Sequence, residues 1–265
     1  MEPQLHIALK AALEAGKAIK EIYEAGVFEI EDKDDNSPLT TADRKANEII
    51  NEFLSPTGIP IISEENQQLP FRLRSTWTSC WVVDPLDGTK EFIKRNGEFT
   101  VNISLVSESK PVLGVIFAPA LSTLYFAETS SGKAYICHVS HGQEISDILQ
   151  SSFEIKPSRC DGKIIVVGSR SHMDHNTLEY IKGLSFSGDK VEMVSRGSSL
   201  KFCLMAEGAA HIYPRFAPTM EWDTAAGQAI CEAVGLKCIL QESGQPVTYN
   251  RENLLNSSFL VCHER

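Results

Sequence analysis

The sequence has no Cys-x-x-Cys pair, no internal repeat, no low-complexity segment and no run approaching the ~20 apolar residues of a membrane span. Its seven cysteines, an odd number, fit neither a disulfide framework nor a zinc ribbon, and read as small core hydrophobes in a reducing compartment. Positive charge is also scarce. Against 35 Asp and Glu stand 25 Lys and Arg, and the formal charge of −10 opposes a polyanionic backbone, so a nucleic-acid polymer is not an expected partner. A small anion held through metal remains compatible with that charge. A Gly-x-x-x-x-Gly-Lys phosphate loop and a Gly-x-Gly-x-x-Gly fingerprint are missing, which argues against nucleotide-driven and Rossmann enzymes. Ser198-Ser199 and nearby His211 form no nucleophile elbow, which argues against serine hydrolysis.

What is present suits a globular chain of 265 residues, 42% hydrophobic, long enough for one large domain or two small ones sharing a core. Glu2, Lys10, Glu14 and Lys17 interrupt Leu5, Leu9, Leu13 and Ile19, so the opening segment does not read as a signal peptide. The expectation is a soluble cytoplasmic protein, with peripheral attachment to a membrane left open. Leu5, Leu9, Ala12, Leu13, Ile19 and Ile22 predict a first amphipathic helix, and Ala46, Ile49, Ile50, Phe53 and Leu54 a second. Strands are predicted at 59–63, 81–84, 99–106, 112–118, 123–127 and 163–167, and further helices at 198–207 and 224–234. A polar stretch from His138 to Ser152 separates the halves. The order of elements predicts an α+β half over 1–150, carrying the main metal and phosphate motifs, packed on an α/β half over 151–265.

The segment richest in chemistry is Trp81-Val82-Val83-Asp84-Pro85-Leu86-Asp87-Gly88-Thr89-Lys90-Glu91-Phe92. An apolar strand delivers two carboxylates to its end, where open α/β sheets place ligands. Pro85 lacks an N–H and turns the chain, which frees the Leu86 carbonyl to face inward. Gly88 permits close backbone approach, and the helix start at Thr89 offers amides to an anion. Glu64 follows the apolar run 59–62, and Asp223 begins a predicted helix. Ordinary structural readings exist for Asp87 as a turn residue and Asp223 as an N-cap, and likewise for Asp43, which in Thr40-x-x-Asp43 reads as part of a capping box. Brought together, however, Glu64, Asp84, Asp87 and Asp223 repel one another and call for cations. An all-oxygen set without His or Cys selects magnesium over zinc. His172-x-x-His175 reads as a pair of loop residues rather than a metal site.

The Asp84-Pro85-Leu86-Asp87-Gly88-Thr89 segment resembles the first signature of the lithium-sensitive, magnesium-dependent inositol monophosphatase superfamily. Trp222-Asp223-x-Ala225-Ala226-Gly227 resembles its second. Nearly the whole chain is covered, and the order of motifs implies the layered αβαβα sandwich of that superfamily, a fold of mixed α+β and α/β character. Lys90-Glu91-Phe92, the stretch from Gly197 to Cys203 and the stretch from Ile212 to Phe216 are similar to the CysQ-type 3′(2′),5′-bisphosphate nucleotidase branch.

The resemblance implies two or three Mg²⁺ ions, inhibition by Li⁺, and no covalent phosphoenzyme. Glu64, Asp84 and the Leu86 carbonyl are implied to hold the ion that activates water. Asp84, Asp87 and Asp223 are implied to hold the ion at the leaving oxygen. Gly88 and Thr89 would hold the phosphate, and Thr89 with Asp43 would take the proton of the attacking water. His172, Ser198, Lys201 and Arg215 are implied to surround the nucleoside and its 5′-phosphate. The implied reaction is removal of the 3′-phosphate of 3′-phosphoadenosine 5′-phosphate, with 3′-phosphoadenylyl sulfate as a second substrate. The alternatives are an inositol or sugar phosphate phosphatase of the same superfamily, and a non-catalytic magnesium or nucleotide binder. The partner implied is a small nucleotide; the oligomeric state is left unspecified.

Overall fold

Helix α1 (Pro3–Ala25) buries a stripe of Leu5, Ala8, Leu9, Ala11, Ala12, Ala15 and Ile19, the face its spacing predicts. The structure, a computed structural model, describes residues 3–32, 38–140, 142–160, 162–169, 174–185 and 190–263. A ribbon of β1 (Ile30–Asp32) and β2 (Pro38–Thr40) leads into α2 (Thr41–Leu54). The Thr40 hydroxyl accepts from the Ala42 amide while Asp43 reaches back to the Thr40 amide, so this helix start is a capping box. Ala42, Ala46, Ile50 and Leu54 recur every fourth residue and form its buried face.

Strand β3 (Ile61–Ser63), the helical turn α3 (Phe71–Arg74), the long β4 (Ser79–Asp87) and the short α4 (Thr89–Ile93) come next. A meander follows: β5 (Thr100–Ser107), β6 (Lys110–Ala118), β7 (Thr123–Glu128), β8 (Lys133–His138) and, after α5 (Ile145–Ser151), β9 (Phe153–Ile155). Together they make a seven-stranded sheet ordered β3-β4-β5-β6-β7-β8-β9, parallel only at β3–β4. The chain then enters a second sheet through β10 (Lys163–Ser169), α6 (His175–Ser185), β11 (Lys190–Arg196), α7 (Leu200–Ala206) and β12 (Ile212–Arg215). Helix α8 (Ala225–Ala233), β13 (Leu236–Leu240) and β14 (Phe259–His263) complete it in the order β11-β10-β12-β14-β13.

Strand alternation sorts the side chains into layers. Trp81 and Val83 of β4 join Leu9, Ala46 and Ile50 in one core, whereas Cys80 and Val82 join Phe202, Ala226, Ile230 and Phe259 in another. On the second sheet, Val167 faces that shared core, while Ile164 and Val166 turn the other way onto Ile181 of α6. The stack is therefore α1 and α2, the large sheet, α7 and α8, the small sheet, and α6. This is the αβαβα sandwich expected. Gly227 makes the middle layer thin: a Cβ there would lie 2.2 Å from Cγ of Phe202.

Three local readings differ from the sequence pattern. The strand expected from Ile59 begins only at Ile61, because Pro60 has no N–H to donate, although its carbonyl still accepts from Trp81 at 2.8 Å. The helix expected from Ser198 begins at Leu200, since Ser198 has φ +46°. The polar stretch from His138 contains α5, which buries Ile145 and Ile148.

Candidate active site

The parallel pairing of β3 with β4 sets Ser63 opposite Val83, and the Glu64 amide donates to the Val83 carbonyl at 3.1 Å. Glu64 therefore leaves its strand beside Asp84. In a regular strand, residues three apart face opposite ways. Here Asp84 pairs with Asn102 but Asp87 with Thr100, so β4 carries one more residue than β5 over this stretch. That bulge, at Pro85-Leu86, brings both aspartates to one side. The Leu86 amide also donates to Asp84 Oδ1 at 3.0 Å. Asp223 arrives from a 3₁₀ turn, Glu221–Asp223, and its Oδ2 accepts from the Met220 amide at 2.7 Å. Its structural role is thus to reach back from the third position of the turn, not to cap α8 as an N-cap.

Carboxylate oxygens of Asp84, Asp87 and Asp223 lie within 4.8 Å of one another. Burial, and then the charge of Glu64, Asp87 and Asp223, holds the Asp84 carboxyl well above the usual range. Burial pushes Asp87 up to about 6, with the Lys201 charge opposing it, and pushes Asp223 up to about 7, reinforced by Asp87 and Glu64. Acids this crowded are stabilised by a cation, and a donor set made only of oxygen fits a hard divalent ion.

Gly88, at φ +92°, connects this cluster to α4; a Cβ there would sit 3.1 Å from the Glu98 carbonyl and 3.3 Å from Cβ of Ser198. The Thr89 hydroxyl donates to Asp43 Oδ1 at 3.0 Å and lies 3.3 Å from the Leu86 carbonyl. Asp43 Oδ2 accepts from the Thr40 amide at 2.7 Å and the Thr40 hydroxyl at 2.5 Å. The capping role and the contact with Thr89 therefore coexist on opposite oxygens of one buried carboxylate.

Glu64, Asp84, Leu86, Asp87, Gly88, Thr89 and Asp223, but not Asp43, line a cavity of about 370 Å³ together with Ser198, Lys201 and Arg215. Lys201 is buried rather than solvated: its ammonium donates to the Ser198 carbonyl and lies 5.8 Å from the centroid of the Tyr213 ring. Burial lowers its pKa to about 8, while the nearby Asp87 charge favours the protonated form. Ser198 precedes α7 instead of opening it, so it meets Lys201 through its backbone carbonyl and as a neighbouring wall of the same cavity. Ser198 Oγ and Arg215 Nε are buried and find no hydrogen-bond partner among the described residues. Both are polar atoms available to a ligand. His172 lies outside the described residues.

Sequence reasoning missed the supports of these groups. Asn102 donates to Asp87 Oδ2 at 3.3 Å; its only signal was a polar residue between Val101 and Ile103. Glu221, fully buried, accepts from the Asn250 amide at 2.7 Å and from the Arg251 amide and Nε at 3.1 and 3.0 Å, tying the Asp223 turn to the 250–251 loop. Adjacency to Asp223 is no signal for that role, because the partners lie 29 and 30 residues away.

A layered αβαβα fold with clustered carboxylates beside a Thr–Asp pair defines the class of metal-dependent phosphomonoesterases. The inositol monophosphatase family model matches residues 1–265, and the chain belongs to that family. The 3′(2′),5′-bisphosphate nucleotidase CysQ of Salmonella typhimurium is 44% identical over 254 residues, spanning 94% of this chain and 96% of that protein. The crystal structure of CysQ from Bacteroides thetaiotaomicron is 46% identical and superposes with a TM-score of 0.88 over 99% of this chain and 97% of that one. The suhB protein of Bartonella henselae, 21% identical over 99% of this chain and 95% of its own, shares the fold with a TM-score of 0.75.

Proposed function

We propose that this chain is a 3′(2′),5′-bisphosphate nucleotidase that removes the 3′-phosphate of 3′-phosphoadenosine 5′-phosphate, giving AMP and phosphate, and also accepts 3′-phosphoadenylyl sulfate. The observation that carries this reading is a single cavity whose walls join the carboxylate cluster to Lys201 and Arg215. A substrate with two separated anions matches such a cavity, one anion compensated through metal and the other by fixed cations. The CysQ relatives support the same substrate class.

Glu64, Asp84, Asp87, Asp223 and the Leu86 carbonyl would hold two or three Mg²⁺ ions, which supply Lewis-acid charge at the phosphoryl group and would make the enzyme sensitive to Li⁺. The chain's own groups handle the proton. Because Thr89 already donates to Asp43, its oxygen lone pairs are free to accept from the attacking water. Water oxygen bonds to phosphorus, the water proton moves to Thr89 as the Thr89 proton moves to Asp43, and the bond from phosphorus to the 3′-oxygen breaks; the leaving 3′-oxygen takes a proton from solvent water, and Asp43 returns its proton to solvent. The two Thr40 donors on Oδ2 keep Oδ1 aimed at Thr89 throughout. Gly88 and Thr89 amides orient the phosphate, and Ser198, Lys201, Arg215 and His172 serve the nucleoside and 5′-phosphate. Residues 1–150 thus supply most of the reacting groups, and residues 151–265 add Asp223 and the nucleotide-binding groups. No described helix is long and apolar enough to cross a membrane. A cytoplasmic location is proposed on the seven cysteines, which suit a reducing compartment.

The test is phosphate release from phosphoadenosine phosphate, inositol 1-phosphate and fructose 1,6-bisphosphate at equal concentration, with Mg²⁺ and with EDTA. Mg²⁺-dependent turnover fastest on the nucleotide is expected. Preference for either other substrate, or full turnover in EDTA, would refute the assignment.

A further inference from the structure

Three buried polar side chains run from β5 to the start of α7 and end on Asp87. Thr100, Asn102 and Ser199 are 0%, 1% and 2% exposed. The Ser199 hydroxyl donates to Asn102 Oδ1 at 2.7 Å, which obliges Thr100 to be the donor in its own 2.7 Å contact with Ser199 Oγ. With Oδ1 so engaged, the Asn102 amide cannot turn over, and its Nδ2 is presented to Asp87 Oδ2 at 3.3 Å. A turned amide would set oxygen against the carboxylate. The Ser199 backbone amide also favours the charged form of Asp87. Each of these bonds points the same way along the chain, toward an oxygen of Asp87.

We infer that Asn102 and Ser199 are positioning residues that fix the Asp87 carboxylate in its cation-holding orientation, so that the affinity of the cluster for a divalent ion depends on how the 198–201 segment is seated. This rests on the reading of Asp87 as a metal ligand. Asn102 acts on Asp87 directly. Ser199 acts through Asn102, and since it lies in the segment from Ser198 to Lys201, it joins the cluster to the part of the cavity lining that those two residues form. Buried hydrogen-bond chains of this kind hold a ligand at one rotamer, and an unheld carboxylate must be ordered again each time an ion binds.

The experiment is Mn²⁺ binding to metal-stripped full-length protein, read from the free-ion EPR signal without substrate, for wild type, Asp87→Asn, Asn102→Ala, Ser199→Ala and the double variant. Thermal unfolding of each protein is measured alongside. Asn102→Ala should weaken Mn²⁺ binding about 10-fold, as loss of outer-shell partners does elsewhere. Ser199→Ala should weaken it about 5-fold, the worth of one hydrogen bond. The double variant should be no worse than Asn102→Ala by more than about 2-fold, because the two side chains act in series. Lower Tm with unchanged Mn²⁺ affinity would mark both residues as merely structural and overturn the inference, and losses that multiply would overturn the series. Should Asn102→Ala not fold, unchanged affinity in Ser199→Ala overturns the inference on its own. Wild type that binds no Mn²⁺, or binds it as well in Asp87→Asn, overturns instead the metal reading of Asp87 and this inference with it.

Discussion

Stripped of divalent metal, the protein should be more stable at about pH 5.5 than at about pH 8, the reverse of what ordinary paired carboxylates give. Burial, reinforced by neighbouring acids, pushes Asp223 from 3.8 up to about 7, and burial pushes Asp87 up to about 6. In the unfolded chain both titrate near 3.9. Between those values the native state holds protons that the unfolded chain has released, so stability falls as pH rises through the folded values, and the penalty is complete above them. The difference between about 7 and 3.8 for Asp223, at roughly 1.4 kcal/mol per pH unit, gives on the order of 4 kcal/mol in full, of which roughly half, on the order of 2 kcal/mol, is lost between about pH 5.5 and about pH 8. Because the acids titrate as a group, the cluster loses about that much rather than the sum of its members. For a chain of this size, roughly 2 °C per kcal/mol puts the drop in Tm between these two pH values near about 4 °C. Saturating Mg²⁺ takes the place of the protons and should abolish most of the slope. Asp223→Asn should flatten it without metal. Scanning calorimetry in EDTA and in Mg²⁺ across this range is the assay, and a metal-free Tm that is flat or rises with pH would refute the reasoning.

Thr89→Ala and Asp43→Asn should each lower kcat about 10²-fold with little change in KM, the usual worth of one positioned proton acceptor. Their double variant should be no worse than the poorer single, and losses that multiply would separate the pair. Arg215→Ala should reduce kcat/KM on phosphoadenosine phosphate roughly 30-fold or more while sparing a minimal monophosphate, read by phosphate release; equal losses on both would move the 5′-phosphate elsewhere. Glu221→Ala leaves Arg251 without its buried partner and should cost about 3–5 kcal/mol by urea unfolding, with weaker Mg²⁺ activation from the loosened Asp223 turn. An unchanged unfolding midpoint would show the pair to be dispensable.

The elements that sequence periodicity revealed are those in which a whole face is buried. Leu5, Leu9, Ala12 and Ile19 in α1, and Ala46, Ile50 and Leu54 in α2, declare themselves because one side of each helix meets the large sheet. Boundaries set by a single residue were misjudged. Pro60 shortens β3, and the φ of +46° at Ser198 delays α7, since neither effect alters the apolar pattern. The short α5 was hidden because only Ile145 and Ile148 mark its inner face within a polar stretch.

By itself the sequence determined which acids are candidates, because Asp84, Asp87, Glu64 and Asp223 each stand where an apolar run ends or a helix begins, and such positions are local properties of the chain. It also carried the dual reading of Asp43, since a capping box is written within four residues. Only the tertiary structure decided that Asp84, Asp87 and Asp223 meet, with Glu64 lining the same cavity. The extra residue between Asp84 and Asp87 turns both to one side, the parallel β3–β4 pair sets Glu64 beside them, and Glu221 with Arg251 holds the turn that brings Asp223 from the other half of the chain. Those outcomes depend on register and on partners far apart in sequence. A local pattern cannot encode them, because hydrogen bonds across 15 to 97 residues are chosen by which surfaces pack, not by which residues are neighbours.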